Sequence, residues 1–405
     1  METTSYDIIT IGGGLGGASL AKVMADSGAR VLVLESELEF KDRVRGEVMV
    51  SWGVAEAQEL GIYEIMKSAG AKEIELAEGT SGQSWEDNKP VQRHLPSTTT
   101  PGTPALTFYH PEMQEAVLNA ASDSGATVCR GVRVRGLQLN GSPTIAVTVD
   151  GEEQECTARI IVGADGRSSR TRNWGGFEVL KSQAKTFIAG ILFDDFGSPD
   201  DMSQNYRTFD RGLTALLFPQ GKGRVRAYLC YPQAWGMRLS GSGDLRRFID
   251  WSVDAGAPAQ YYEGATPIGA LASFDSSTTW VEHPYRDQVA LIGDAAGSTD
   301  PIWGQGVSLT LRDVRVLRDQ LLSNKDWDKA GRAYAEEHNK YFTVTNTVQR
   351  WLEEMLVETG PEADARRERA LPLWLEDATR RVDTLASGPD HSIDETVRRR
   401  FFGED

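Results

Sequence analysis

Residues 7–35 read DIITIGGGLGGASLAKVMADSGARVLVLE, and the fold turns on how this stretch is built. Ile8, Ile9 and Ile11 make a short apolar strand that runs into glycines. ASLAKVMADSG then carries its apolar residues on one helical face, with Gly28 as the expected cap. VLVLE is a second unbroken apolar run, the pattern of a strand buried inside a parallel sheet. Gly12, Gly14 and Gly17 fall between strand and helix in the G-x-G-x-x-G spacing. In that motif the first glycine permits the tight turn, and the second lets backbone approach a pyrophosphate. The third lets helix and strand pack closely, leaving the helix N-terminus aimed at the phosphates. Glu35 closes the second strand, 18 residues after Gly17. An acid there accepts hydrogen bonds from a ribose and repels a 2′-phosphate. A glycine-rich turn with a surface glutamate is the plainer reading of the motif alone, but strand, helix and acid together weigh against it. The stretch predicts a site for the adenosine half of NAD or FAD, with NADP disfavoured there.

Outward from this unit, the 405 residues are enough for two domains with sizeable cores. A net charge of −16 argues against nucleic acid or an anionic membrane as partner. No apolar run reaches the length of a membrane span, and METTSYDIIT lacks the basic-then-apolar order of a secretory signal. Three cysteines without CxxC spacing (Cys129, Cys156, Cys230) read as reduced, mostly buried thiols in a cytoplasmic protein.

The patterns at 53–70 and 111–125 are helical, and HLPSTTTPGTPAL (94–106) between them reads as a loop. After residue 180 the texture changes: KTFIAGILFDD, GLTALLFPQG and GRVRAYLCYP are strand-like runs bounded by glycine and proline, as in an antiparallel sheet. DLRRFIDW is a short helix. In the tail, Trp327, Ala330, Tyr334, His338, Tyr341 and Val348 recur at helical spacing, which predicts a long helix packed on the body. The expected fold is α/β: a three-layer, Rossmann-type nucleotide domain with a parallel sheet, interrupted by a β-rich substrate domain and closed by C-terminal helices. The expected boundaries are 1–75, 104–180 and 284–325 for the first, 76–103 and 181–283 for the second, and 326–405 for the helical region.

Two later stretches bear on the cofactor. IIVGADGRSSRTR sets Gly163, Asp165 and Gly166 after an apolar strand, and ALIGDAAGSTDPIWGQGVSLTLRD does the same with Gly293 and Asp294. The second stretch adds Pro301, Gly304, Gly306 and Asp313 before and within a helix. Each is a strand end with a short acid beside glycine, where backbone can approach a polyol or phosphate. A flavin needs more than one such site, because its ribityl chain and ring extend beyond the adenosine pocket.

Taken in order, GGGLGG…E, RVRGEVM, GADGRSSRTR and GDAAGSTDPIWGQGVSLTLRD resemble the group A flavoprotein monooxygenases, the family typified by para-hydroxybenzoate hydroxylase, over roughly residues 5–320. The resemblance implies non-covalent FAD, with Glu35 at the adenosine ribose and Arg45 at the pyrophosphate. It implies Asp165 near the cofactor in a mainly structural role, and Asp294 at the ribityl or pyrophosphate. It implies Pro301, Gly304 and Gly306 along the flavin ring. His110 stands where the family often has arginine, with Gln114 one turn on; a weak cofactor contact and a helix-capping histidine are both open. The family's GDAAH is GDAAG here, and Trp303 replaces a small residue at the flavin edge. That indole either shields the oxygen site or simply packs.

The implied activity is a monooxygenase or hydroxylase reaction. One atom of O2 passes through a flavin C4a-hydroperoxide into an aromatic or unsaturated small molecule, with NAD(P)H as transient reductant. RGEVM also partly resembles halogenases and epoxidases fed by a separate flavin reductase, and a flavin-dependent dehydrogenase or reductase shares the FAD motifs. Halogenases carry W-x-W-x-I-P, which is absent here, and Lys72 lies only near the region of their lysine. No metal-ligand spacing and no GxSxG elbow occur, and no residue stands out as a general base. Residues 185–235 are expected to wall the substrate pocket, with Phe187, Phe218 and Tyr228 as candidates for wall or core.

Overall fold

The computed structural model describes residues 4–44, 46–80, 90–139, 141–149 and 152–405. Its central sheet pairs Thr4–Ile11 in parallel with Val31–Glu35 on one side and Glu152–Gly163 on the other. Thr127–Arg130 and Val289–Leu291 extend it, again in parallel. Alternation along the strands divides the core. Ile8, Val31, Val33, Ile160 and Val162 face the helices Leu15–Asp26, His110–Asp123 and Gly306–Ser323. Ile9, Ile11, Leu32, Leu34 and Ile161 face the other way, onto Val134, Ile145 and Val147 of an antiparallel ribbon. Helices, sheet and ribbon form the three layers.

The second large sheet contains Thr186–Asp194, Arg224–Pro232, Leu213–Gly221 and Met202–Thr208, antiparallel in that spatial order, continued by Leu76–Thr80 and Pro90–His94. Period-2 alternation gives it two unlike faces. Ala189, Ile191, Ala215, Leu217, Ala227 and Leu229 pack outward under the helix Leu245–Asp254. Ile188, Leu216, Tyr228 and Cys230 face inward with Ile302 and Trp303. The long helix Trp327–Leu356 buries Ala330, Tyr334, His338, Tyr341 and Val348, as the sequence spacing predicts. Farther along it, Trp351 packs on Phe401 and Phe402 of the last helix.

Three expectations need correction. The helical pattern at 53–70 is two helices, Ser51–Glu59 and Tyr63–Ser68. Gly61 at φ +65° turns the chain left-handed between them, while Ile62 N–H closes back onto the Ala57 carbonyl. The expected loop at 94–106 contains a helical turn, Leu95–Thr98, whose Ser97 N–H is accepted by His94 Nδ1. Cys129 and Cys156 are only partly buried; Cys230 is buried, and all three are free thiols. Among the described residues no helix is long and apolar enough to cross a membrane.

Steric tightness is greatest at Gly17, where an added Cβ would lie 1.9 Å from the Gly12 carbonyl oxygen. Overpacking against backbone costs about 1–3 kcal/mol or more. Gly17→Ala should therefore lower the unfolding free energy from urea titration by that amount, with a lower midpoint. Gly243→Ala, with nothing within 4 Å of its Cβ, should stay within about 0.5 kcal/mol of the parent. Equal midpoints for the two variants would contradict the packing.

Candidate active site

Parallel register sets Ile11 opposite Leu34 and Gly163, and Gly163 opposite Leu291. The strands therefore end together, and Glu35, Asp165 and Asp294 leave the sheet along one edge. Ligands bind at this carboxyl edge in open α/β sheets. Gly12, at φ +105°, turns so tightly that a Cβ would lie 2.4 Å from the Ala164 oxygen. Gly14 precedes the helix Leu15–Asp26 and gives it no side-chain cap, so the first-turn N–H groups border open space. Gly306 opens the helix Gly306–Ser323, likewise without a side-chain cap. Two helix N-termini thus offer positive potential to the same cavity.

Glu35 is buried, and its carboxylate accepts from Gly13 N–H at 2.7 Å and Glu37 N–H at 2.8 Å. It braces the glycine turn and, with about four acceptor positions per carboxylate, has capacity for a ribose as well. Asp165 accepts from Ser169 Oγ at 2.5 Å and Arg170 N–H at 2.8 Å, holding the turn before a short helix. Gly293, the neighbour of Asp294, donates its N–H to Asp313 Oδ2 at 2.7 Å. Asp313 Oδ1 in turn faces His338 Nδ1 at 2.9 Å and accepts from Tyr341 OH. His110 Nδ1 donates to the Gly46 carbonyl at 2.7 Å, so it fixes the Gly46 backbone. Arg45 lies outside the described residues.

One cavity of about 1530 Å³ takes in Gly12, Gly14, Glu35, His110, Gln114, Asp165, Asp294, Pro301, Trp303, Gly304 and Gly306. Gly17 is not on its wall; it acts behind the turn. A pocket for one drug-sized ligand is about 300–1,000 Å³, so this space has room for a dinucleotide and a second molecule. The wall also includes Ile188, Leu216, Phe218, Leu352 and Leu356, which pack with Trp303 in one apolar cluster. Phe218 and Tyr228 are wall residues, whereas Phe187 packs on Tyr231 on the outer side of the sheet. The glycine cradle, the uncapped helix ends and the acid at the second strand suit FAD.

A family profile described as FAD binding domain matches residues 5–341. The chain belongs to that family. Similar proteins share both sequence and shape. Squalene epoxidase 3 of Arabidopsis thaliana is 22% identical over 352 residues, covering 80% of this chain and 62% of that protein. The chain thus spans less than two thirds of that relative's length. The 6-methylpretetramide 4-monooxygenase of Streptomyces rimosus is 25% identical, over 91% of this chain and 88% of its own. The anhydrotetracycline hydroxylase structure from Streptomyces rimosus superposes with TM-score 0.74 at 21% identity, over 96% of this chain and 77% of that one.

Within this flavoprotein family framework the structure gives partners to residues for which the sequence named none. Tyr228 OH donates to Glu47, and Arg226, fully buried, reaches Asp42 at 2.7 Å and Glu47 at 3.2 Å. Burial pushes Glu47 up from the usual carboxylate range, against the pull of Arg226. This cluster pins the 42–47 loop to the second sheet. Gly190, opposite Tyr228, makes the space: a Cβ there would come within 2.7 Å of both Tyr228 and Val44. The sequence signal was a charge in phase with Tyr228 and Cys230 inside the strand run GRVRAYLCYP. Gln305 is a further node, accepting from Trp52 Nε1 at 3.0 Å and donating to the Trp303 carbonyl at 2.9 Å and the Leu385 carbonyl at 3.2 Å. It fixes the Pro301–Trp303 turn to the C-terminal segment.

Asp300 caps that turn by accepting from Ile302 N–H at 3.0 Å. Burial raises its pKa from 3.8 to about 8; Ile302 N–H and Arg167 oppose the rise, and Glu353 adds to it. Between those two pH values the folded state holds a proton that the unfolded chain has released, so stability falls as pH rises. Asp300→Asn should remove this loss. Its stability should match the parent near pH 4 and exceed it increasingly up to about pH 8, measured by urea titration. Parallel profiles would refute the assignment. For the cofactor, losing a charged acceptor costs about 1.5–3 kcal/mol. Glu35→Ala should weaken FAD binding about ten- to a hundredfold, read by flavin fluorescence; an unchanged Kd would place the adenosine elsewhere.

Proposed function

We propose that the protein is an FAD-dependent monooxygenase that places one atom of O2 on an aromatic or unsaturated small molecule, using NAD(P)H as reductant. The observation that carries this reading is the continuity of one cavity from the glycine turn to an apolar chamber beneath the second sheet. Relatives named as an epoxidase, a monooxygenase and a hydroxylase support it.

In this reading the uncapped N-terminus at Gly14 and that at Gly306 receive phosphate or ring oxygens, and Glu35 receives the ribose. Gln114, Asp165, Asp294 and His110 border the chain between, and Pro301 and Gly304 offer backbone to the ring. FAD held there would supply hydride exchange with a nicotinamide and the activation of O2. The protein's part is to orient the substrate and keep water away. Leu216, Phe218, Leu352 and Leu356 form an apolar enclosure, and Trp303 closes it at the turn. Tyr228 and Glu47, hydrogen-bonded at the wall, hold a proton beside the chamber.

The test follows NAD(P)H oxidation and O2 uptake by the FAD-loaded protein, with and without a panel of aromatic and polyene compounds. Oxidation should be slow with the protein alone and should rise when a suitable compound is present, yielding a product heavier by one oxygen atom. A parallel assay adds a flavin reductase. Turnover that requires the reductase would replace the single-component reading, and reductant oxidation with no oxygen consumed would remove the monooxygenase reading.

A further inference from the structure

The cavity opens to the surface where the C-terminal segment meets the last strand of the second sheet. Leu371, Trp374 and Leu375 of the helix Pro361–Glu376 belong to its wall, as do Val91 and Arg93 of the strand Pro90–His94. Leu375 is 79% exposed and Val91 56%, so these wall residues stand where the cavity meets solvent. Arg93 and Asp383 join strand to segment, Nη1 to Oδ1 at 3.2 Å and Nη2 to Oδ2 at 2.7 Å. Arg93 Nε donates to Thr98 Oγ1 at 2.9 Å, and Asp383 Oδ2 also accepts from Ser387 Oγ at 2.7 Å. These two charges therefore answer each other. Arg381, also on the wall, is exposed, and its guanidinium has no hydrogen bond or ion pair among the described residues. The surrounding protein draws its pKa down and Arg93 adds to that, while Asp383 opposes it. Two guanidiniums thus share one carboxylate, which leaves one positive charge over at the mouth of the cavity.

A single exposed arginine is ordinary, and so is a single exposed leucine. Here a surplus guanidinium and two large exposed apolar side chains border one cavity, in a chain whose net charge is −16. Arginine presents planar N–H donors that match a carboxylate, and its hydrogen bonds to such groups are the strong kind. Exposed apolar side chains on a cavity wall gain by covering hydrocarbon. One surplus charge balances a monoanion, whereas a phosphate ester would bring about two negative charges. We propose that the mouth binds the carboxylate end of an amphiphilic, unsaturated hydrocarbon, with Arg381 on the acid and Val91 and Leu375 on the adjoining methylenes. Such a ligand enters hydrocarbon first, and its acid stays at the surface, away from the carbons that react. Arg381 is then a specificity-determining residue that selects acids over neutral chains. This inference rests on the reading of the cavity as the substrate site.

The experiment uses the full-length protein incubated with FAD and two pairs of probes that differ in charge: oleate with oleamide, and all-trans-retinoate with its amide. Calorimetry below the concentration at which the probes self-associate gives each Kd. The acids should bind about three- to tenfold more tightly than their amides. Arg381→Gln should remove that preference while leaving the amides unchanged, and Arg381→Glu should reverse it. Leu375→Ser should weaken acid and amide alike, by about two- to fivefold. Arg246→Gln, on the outer helix Leu245–Asp254, is the control for charge at a distance and should keep the full preference. FAD occupancy should be the same in all variants. Acids binding no better than amides, including binding of neither, overturns the proposal. So does a preference that survives Arg381→Gln, one that is lost equally in Arg246→Gln, or a Leu375→Ser variant that binds as the parent does. A flavin-bearing protein without the preference removes this inference alone. A protein that shows the preference but holds no flavin removes the functional reading instead.

Discussion

Gly12 lets the first strand turn against Ala164, and Gly17 brings the following helix so near that a Cβ would lie 1.9 Å from the Gly12 carbonyl. Strand end, helix start and the 163–166 turn therefore meet at a separation that no side chain permits. The rest of the site is built on that approach. Because the helix begins at the turn without a side-chain cap, its N–H groups border the cavity. Because the strands pair in parallel and in register, the acids that follow them emerge along the same edge. Glu35 then turns back to hold Gly13, so an acid on the cavity wall also maintains the turn's shape.

The nucleotide part and the second sheet are joined by buried charge rather than by apolar packing alone. Arg226, with no exposed surface, draws Asp42 and Glu47 onto the inward face of the sheet. Removing one partner from such a cluster leaves an uncompensated buried charge, which is far costlier than the intact cluster is stabilising. Asp42 and Glu47 are thereby tied to the strands that wall the cavity. On the opposite side, Asp313, His338 and Tyr341 tie the long C-terminal helix to the turn at Gly293.

The strand–turn–helix–strand unit was legible because its determinants are local: glycine spacing, alternation, and an acid at a fixed offset. The inward and outward faces of the second sheet were also legible in outline, since alternation needs no partner to be seen. Gly61 was not, because a glycine inside an apolar helical pattern does not announce that it adopts φ +65°. Nor was the contribution of the tail to the cavity. Leu352, Leu356 and Leu385 line the cavity together with the Pro301–Trp303 turn, and Gln305 bonds the Leu385 carbonyl, which no local pattern encodes. Arg226 was visible only as a charge in an otherwise apolar strand, and Arg207 sits in the polar run MSQNYRT; their neighbours, Glu47 and Trp303, come from distant segments.

The central claim is that a single cavity seats the cofactor along the strand ends and the substrate beyond Trp303. The crystal structure of the protein grown with FAD tests it most directly. The account predicts the adenosine ribose within hydrogen-bonding distance of Glu35, the flavin ring against Pro301 and Gly304, and open apolar space beyond it toward Leu216 and Phe218. Flavin density away from the Gly12–Gly17 turn, or a ring that fills the space beyond Trp303, would contradict it.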